Sequence, residues 1–129
     1  MRVVDGLTPL MLACRLADTS TVRSLIVDVE LDERNDDGNT ALWLACYSDN
    51  IEIIALLAVN GADLNNQNND GVTALIYAAS AGKVDVVRCL LALGADHTLQ
   101  TVDGFTALDI ASSRQVMKLL RDAYTPEYA

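Results

Sequence analysis

The pattern DG-x-T-x-L occurs four times, as DGLTPL from Asp5, DGNTAL from Asp37, DGVTAL from Asp70 and DGFTAL from Asp103. Successive copies are offset by 32, 33 and 33 residues. A period of this size marks supersecondary units that bury their apolar faces only by stacking on one another. Any fold assigned to the chain must therefore place the four copies in equivalent positions.

The stretch from Asp70 to Asp96, DGVTALIYAASAGKVDVVRCLLALGAD, shows what one unit is made of. Asp70-Gly71 ends a polar run from Asn65 that suits a tight turn, since Gly accepts positive φ and Asx side chains bond their own backbone. Thr73 offers a hydroxyl to the first unpaired N–H groups of a helix. That helix, about 74–81, is short and rich in Ala, which lets a neighbour come close, and Gly82-Lys83 breaks it. A second helix, about 84–93, carries Val84, Val87, Leu90 and Leu91 at helical spacing, with Asp85 in the first turn, where the helix dipole favours negative charge. Gly94 suits its left-handed C-terminal cap.

Through DG-x-T-[AP]-L, the pair Ala78-Ala79, Gly82, and the ending Leu90-Leu91…Gly94-Ala95-Asp96, the chain resembles the ankyrin-repeat family over about residues 3–124. The resemblance implies an all-α solenoid of helix-turn-helix units joined by β-hairpin fingers. We expect one domain over 1–129, with repeats at about 3–34, 35–67, 68–100 and 101–124 and a frayed tail at 125–129. Two departures stand out. The first unit ends Val29-Glu30-Leu31 where the next two have Gly61-Ala62-Asp63 and Gly94-Ala95-Asp96, so its loop is distorted or its second helix ends early. In the fourth unit the turn around Ser112-Ser113-Arg114 is three residues shorter than in the third, and Gln115, Lys118 and Arg121 are expected to face solvent as in a cap. In the second unit Asp49 replaces the interhelix glycine, a backbone region that Asp tolerates.

Composition excludes several roles. Eighteen acidic and nine basic residues give a net charge of −9, which argues against nucleic acid or an anionic membrane as partner. The longest apolar run, 51–59, is interrupted by Glu52 and falls well short of the roughly 18 residues of a span. The start, Met1-Arg2-Val3-Val4-Asp5, has no long apolar signal region, so a cytoplasmic location is expected. Cys14 and Cys46 share one repeat position on adjacent helices, whose axes typically lie about 8–10 Å apart, beyond the roughly 6.8 Å Cα separation of a disulfide. With Cys89 they read as small buried residues in a reducing compartment. His97 is the single histidine, three scattered cysteines make no tetrahedral zinc set, and no phosphate-cradling glycine motif occurs. No catalytic residue, metal or cofactor is expected, and the chain is not read as an enzyme.

The resemblance implies a binding surface instead, formed by the fingers and the exposed face of each first helix. Carried onto matching positions, it names Val4, Leu7, Asp36, Asn39, Asn69, Val72, Val102 and Phe105 on the fingers. On the first helices it names Arg15, Leu16, Tyr47, Ser48, Ser80 and Ala81. Leu7, Val72 and Phe105 share the position after the turn glycine and would form an apolar row, interrupted by Asn39. Family members often carry a histidine after T-P-L that bonds the Thr hydroxyl; here Met11, Trp43, Ile76 and Asp109 stand there. Trp43 is either core beneath the fingers or, with Tyr47 one turn on, an aromatic anchor of the kind enriched at interfaces; Tyr77 reads as core with its hydroxyl at the edge. Asn65, eight residues after Leu57, has a spacing resembling that of ankyrin asparagines hydroxylated by a 2-oxoglutarate-dependent enzyme, although a loop that needs an Asn side chain produces the same pattern.

Charge adds to this. Between Asp28 and Asp70 there are ten acidic residues and one basic, Arg34. An apolar groove beside such a region suits a basic, partly apolar protein or peptide, bound by a monomer, with the charge accelerating association. The alternatives are an inhibitor that masks a basic site on an enzyme or nucleic-acid-binding protein, and a self-associating structural unit.

Overall fold

The structure is a computed structural model that describes residues 6–124; the expectations for Val4, the start and the tail at 125–129 lie outside the described residues. Eight helices follow one another among them: α1 (Pro9–Arg15), α2 (Thr19–Leu25), α3 (Ala41–Tyr47), α4 (Ile51–Val59), α5 (Ala74–Ser80), α6 (Val84–Ala92), α7 (Ala107–Ile110) and α8 (Arg114–Tyr124). The first helices form one row, α1 on α3, α3 on α5 and α5 on α7. The second helices form another, α2 on α4, α4 on α6 and α6 on α8, and each pair is packed together across the two rows. This is the all-helical ankyrin-repeat fold.

Small residues set the spacing of the first row. Ala13-Cys14, Ala45-Cys46 and Ala78-Ala79 are all buried, and side chains this small let neighbouring helices approach closely. Larger chains fill the space beneath: Val22 and Ile26, then Ile53, Ile54 and Leu57, then Val86, Val87 and Leu90, then Val116 and Leu120. Burial of each such side chain contributes about 1.5–3 kcal/mol relative to exposure. The three thiols are free, Cys14 and Cys46 buried and Cys89 half-buried.

The threonine of each motif sits at a helix start. Thr8, Thr73 and Thr106 accept from the backbone N–H of Met11, Ile76 and Asp109, whereas Thr40 caps α3 without a side-chain bond. Where the family's histidine is missing, two units use another reciprocal bond. The Thr8 N–H donates to Met11 Sδ at 3.5 Å and the Thr106 N–H to Asp109 Oδ2 at 2.9 Å.

None of the described residues is in a strand. The second, third and fourth fingers are each a tight turn closed by two backbone bonds, such as Asn68 N–H to Val72 O at 3.0 Å and Gly71 N–H to Asn68 O at 2.9 Å. Fingers stack through one further bond each, Asn69 N–H to Asp37 O and Val102 N–H to Asp70 O, both 3.0 Å. The approach is so close that a Cβ on Gly71 (φ +78°) would lie 2.7 Å from the Val102 nitrogen.

The two irregular units differ as follows. The helix α2 stops after seven residues where α4 and α6 have nine, so the missing glycine cap shortens the helix. In the fourth unit the deficit falls on the first helix: α7 has four residues against seven in α5. The exposed residues of α8 include Gln115, Lys118 and Arg121. Asp49 takes φ +60° as its glycine-like position requires, and Ala17, at the same place in the first unit, takes φ +57°.

Candidate interaction groove

The finger and first-helix residues named from the sequence divide into two groups. Leu7, Arg15, Asp36, Asn39, Trp43 and Tyr47 line one cavity of about 300 Å³ between the first and second units, together with Asn35, Asp37 and Leu44. Asn69, Val72, Ser80, Val102 and Phe105 do not line it. Of these, Val72 is half-buried and the other four are exposed, as are Leu16 and Ala81. The apolar row is graded: Leu7 is 4% exposed, Val72 half-buried and Phe105 48% exposed. Asn39 is buried, its Oδ1 accepting from Asn68 Nδ2 at 3.0 Å. Ser48 donates to Cys14 O at 2.8 Å, which ties the second unit to the first.

Trp43 is half-buried against the core and also forms part of the cavity wall. Its ring is stacked with Tyr47, centroids 6.1 Å apart and planes 10° from parallel, and lies 4.5 Å from Tyr77. Its indole N–H is buried without an acceptor. Lys83 completes this cluster and was not singled out from the sequence. Its Nζ donates to Asp49 Oδ1 at 2.8 Å and to the Tyr47 carbonyl at 3.2 Å, and lies 5.8 Å from the Tyr77 ring centroid. Burial works against the Lys83 charge, but the Asp49 bond and the Tyr77 hydroxyl outweigh it and raise the ammonium above its usual range. Burial also pushes the Tyr77 phenol up, with Lys83 opposing. The signal in the sequence was Lys83 standing where the other second helices begin with the capping residues Asp18 and Asn50.

The acidic side of the cavity has no ion pair among the described residues. No hydrogen bond or ion pair from the described residues reaches the Asp36 or Asp37 carboxylate. Arg34 bonds instead to Asn66 Oδ1 at 2.9 Å, the Gln67 carbonyl at 3.0 Å and Asn69 Oδ1 at 3.3 Å. Elsewhere, Asn65 is exposed and its Oδ1 accepts the Asp96 N–H at 2.8 Å, which links successive loops. The His97 ring packs edge-on against Tyr124 at 4.2 Å with Nδ1 buried and unpartnered. Burial pushes the Cys14 thiol up to about 12 and the Cys46 thiol further still. No helix among the described residues is long and apolar enough to cross a membrane.

Comparison with known proteins agrees with this architecture. A family model described as ankyrin repeats (3 copies) matches residues 1–68 and 50–127. Neurogenic locus notch homolog protein 2 of Homo sapiens and that of Mus musculus are each 41% identical over 63 residues, 48% of this chain. The match spans 2% of the length of those relatives. The crystal structure of the ankyrin repeat domain of Bcl-3, a member of the IkappaB protein family, is similar with a TM-score of 0.86 at 33% identity, over 91% of this chain and 52% of that one.

Proposed function

Because the chain belongs to the ankyrin-repeat family, we propose that it is a non-catalytic protein-protein interaction module whose groove takes a basic, partly apolar segment of a partner. It acts as a monomer in the cytoplasm, as one domain of four repeats, with the hairpin-shaped fingers as one wall of the groove. The observation that carries this reading is the cavity of about 300 Å³ in which Trp43, Tyr47 and Leu7 meet the Asp36 and Asp37 carboxylates. A lining of mixed polar and apolar side chains with convergent charges can take a side chain and its flanking backbone. A second reading, an acidic surface that masks a basic site on another protein, is supported by the ten acidic residues between Asp28 and Asp70.

A random-peptide display selection against the protein tests the groove. The expected winners carry net positive charge with apolar neighbours, and they lose binding to a Trp43→Ala, Tyr47→Ala variant whose circular dichroism is unchanged. Their association rate should fall as salt rises, because screening shortens the reach of the acidic field. Winners that bind the folded variant equally well would remove the groove and leave the acidic outer surface as the site.

A further inference from the structure

We propose that the cavity between the first two units is a receptor for one arginine side chain of the partner, with the guanidinium against Asp36 and Asp37 and the alkyl stem along Trp43 and Tyr47. This rests on the interaction-module reading and gives the partner a defining residue.

Three observations converge on this ligand. The two carboxylates have no ion-pair partner among the described residues, and the nearest basic residue in sequence, Arg34, is engaged with Asn66, Gln67 and Asn69 where the second unit passes into the third. The adjoining wall is aromatic, with Trp43 and Tyr47 held nearly parallel at 10°. Such faces take the apolar stem of a long side chain, and a planar guanidinium at its end forks to carboxylates, which the compact, strongly hydrated lysine ammonium does less well. The cavity, at about 300 Å³, matches one long side chain and its flanking backbone. Arg15 lines the same cavity, so the lining has two acidic side chains against one basic and still attracts a cation. A carboxylate beside the ligand's arginine would meet Arg15.

Trp43 is the single tryptophan, so its emission reports on this cavity. The probe is the blocked tripeptide acetyl-Leu-Arg-Leu-amide, with the lysine and citrulline analogues beside it; citrulline keeps the shape and removes the charge. The arginine peptide should give a saturable change in emission. The lysine peptide should bind at least about fivefold more weakly, and the citrulline peptide should give no change. An Asp36→Asn, Asp37→Asn variant keeps the turn chemistry and should lose about tenfold in affinity. An Asp70→Asn, Asp103→Asn variant, which alters finger carboxylates outside the cavity, should bind like the parent. Absence of a saturable response to the arginine peptide, equal binding of citrulline, or an unaffected Asp36→Asn, Asp37→Asn variant overturns the proposal. Display-selected peptides that need Trp43 and Tyr47 but neither Asp36 nor Asp37 would leave the interaction module standing without its arginine site. Peptides indifferent to all four residues would remove both.

Discussion

Alanine at Gly71 and at Gly104 should separate the cost of backbone conformation from the cost of spoiling the finger stack. Both glycines close the same turn with similar positive φ, +78° and +89°. At Gly104 a Cβ meets nothing within 4 Å, whereas at Gly71 it lies 2.7 Å from the Val102 nitrogen and 3.0 Å from the Thr101 carbonyl carbon. Left-handed strain costs about 1–2 kcal/mol and is offset by about 0.4–1 kcal/mol from the less disordered unfolded chain. Gly104→Ala should therefore destabilise by about 0.5–1 kcal/mol. At Gly71 the same term applies, and the next finger must also retreat by about 0.7 Å to reach the 3.4 Å of ordinary contact. Such a retreat takes the 3.0 Å bond from Val102 N–H to Asp70 O beyond hydrogen-bonding distance. A lost bond with a stranded donor adds about 1–3 kcal/mol, so Gly71→Ala should cost about 2–4 kcal/mol in all. Urea denaturation followed by far-ultraviolet circular dichroism measures both. In a stack whose units touch only their neighbours, Gly71→Ala should also lower the slope of the transition, as the third and fourth units uncouple. Equal destabilisation by the two substitutions would refute the argument, because conformation would then account for everything and close finger contact for nothing.

Ala17→Gly should stabilise the protein by about 0.5–1 kcal/mol in the same assay, because an exposed alanine held at φ +57° carries left-handed strain that glycine lacks; a loss of stability would mean that the Ala17 methyl contributes packing. At mildly alkaline pH a disulfide-exchange reagent should modify Cys89 alone in the folded state and all three thiols in urea. Cys14 and Cys46 are buried and their thiols pushed far up by that burial, so rapid native labelling of either would contradict the packed first row. Asp18, at the start of α2, is held below its ordinary 3.8 by the Thr21 hydroxyl (2.6 Å) and then the Thr21 N–H (3.2 Å). Its folded value is depressed, so its contribution is present above the unfolded value and is lost as pH falls through the folded one. Thr21→Val removes the larger cause, and the acid limb of a stability-against-pH curve should become shallower below about pH 4; an unchanged limb would show that the bond does not persist in solution.

Periodicity explains why the fold was legible. A feature that recurs every 32 or 33 residues is reinforced by each copy, so the turn Asp-Gly, the capping threonine, the small pair and the interhelix turn could all be placed before any coordinates. What the repeat left open was how far neighbours cover one another. Leu7 and Phe105 are equivalent in sequence, yet one is buried and the other half exposed. Asn39 breaks an apolar row, yet it is buried and bonded to Asn68. Both outcomes depend on contacts between units, which lie some thirty residues apart and leave no local pattern. Ala17 escaped notice for a related reason: no propensity marks an alanine for positive φ, and only alignment with Asp49 and Gly82 shows what its place demands.

The same division bears on where specificity resides. Positions that hold the stack together repeat: Thr8, Thr40, Thr73 and Thr106 are identical, and Ala13, Ala45 and Ala78 are identical. Most positions that line the cavity do not, the turn residue Asp37 excepted. Trp43 stands where the other units have Met11, Ile76 and Asp109, Tyr47 corresponds to Arg15 and Ser80, and Asp36 to Asn69 and Val102. Since stacking constrains the first set and leaves the second free to vary, the places where the units disagree are the ones able to encode a target. In the second unit three of them, Asp36, Trp43 and Tyr47, meet in one cavity against the first unit, which is why the aromatic and acidic residues there, and not the more regular third unit, are where substitutions should change what the protein binds without changing how it folds.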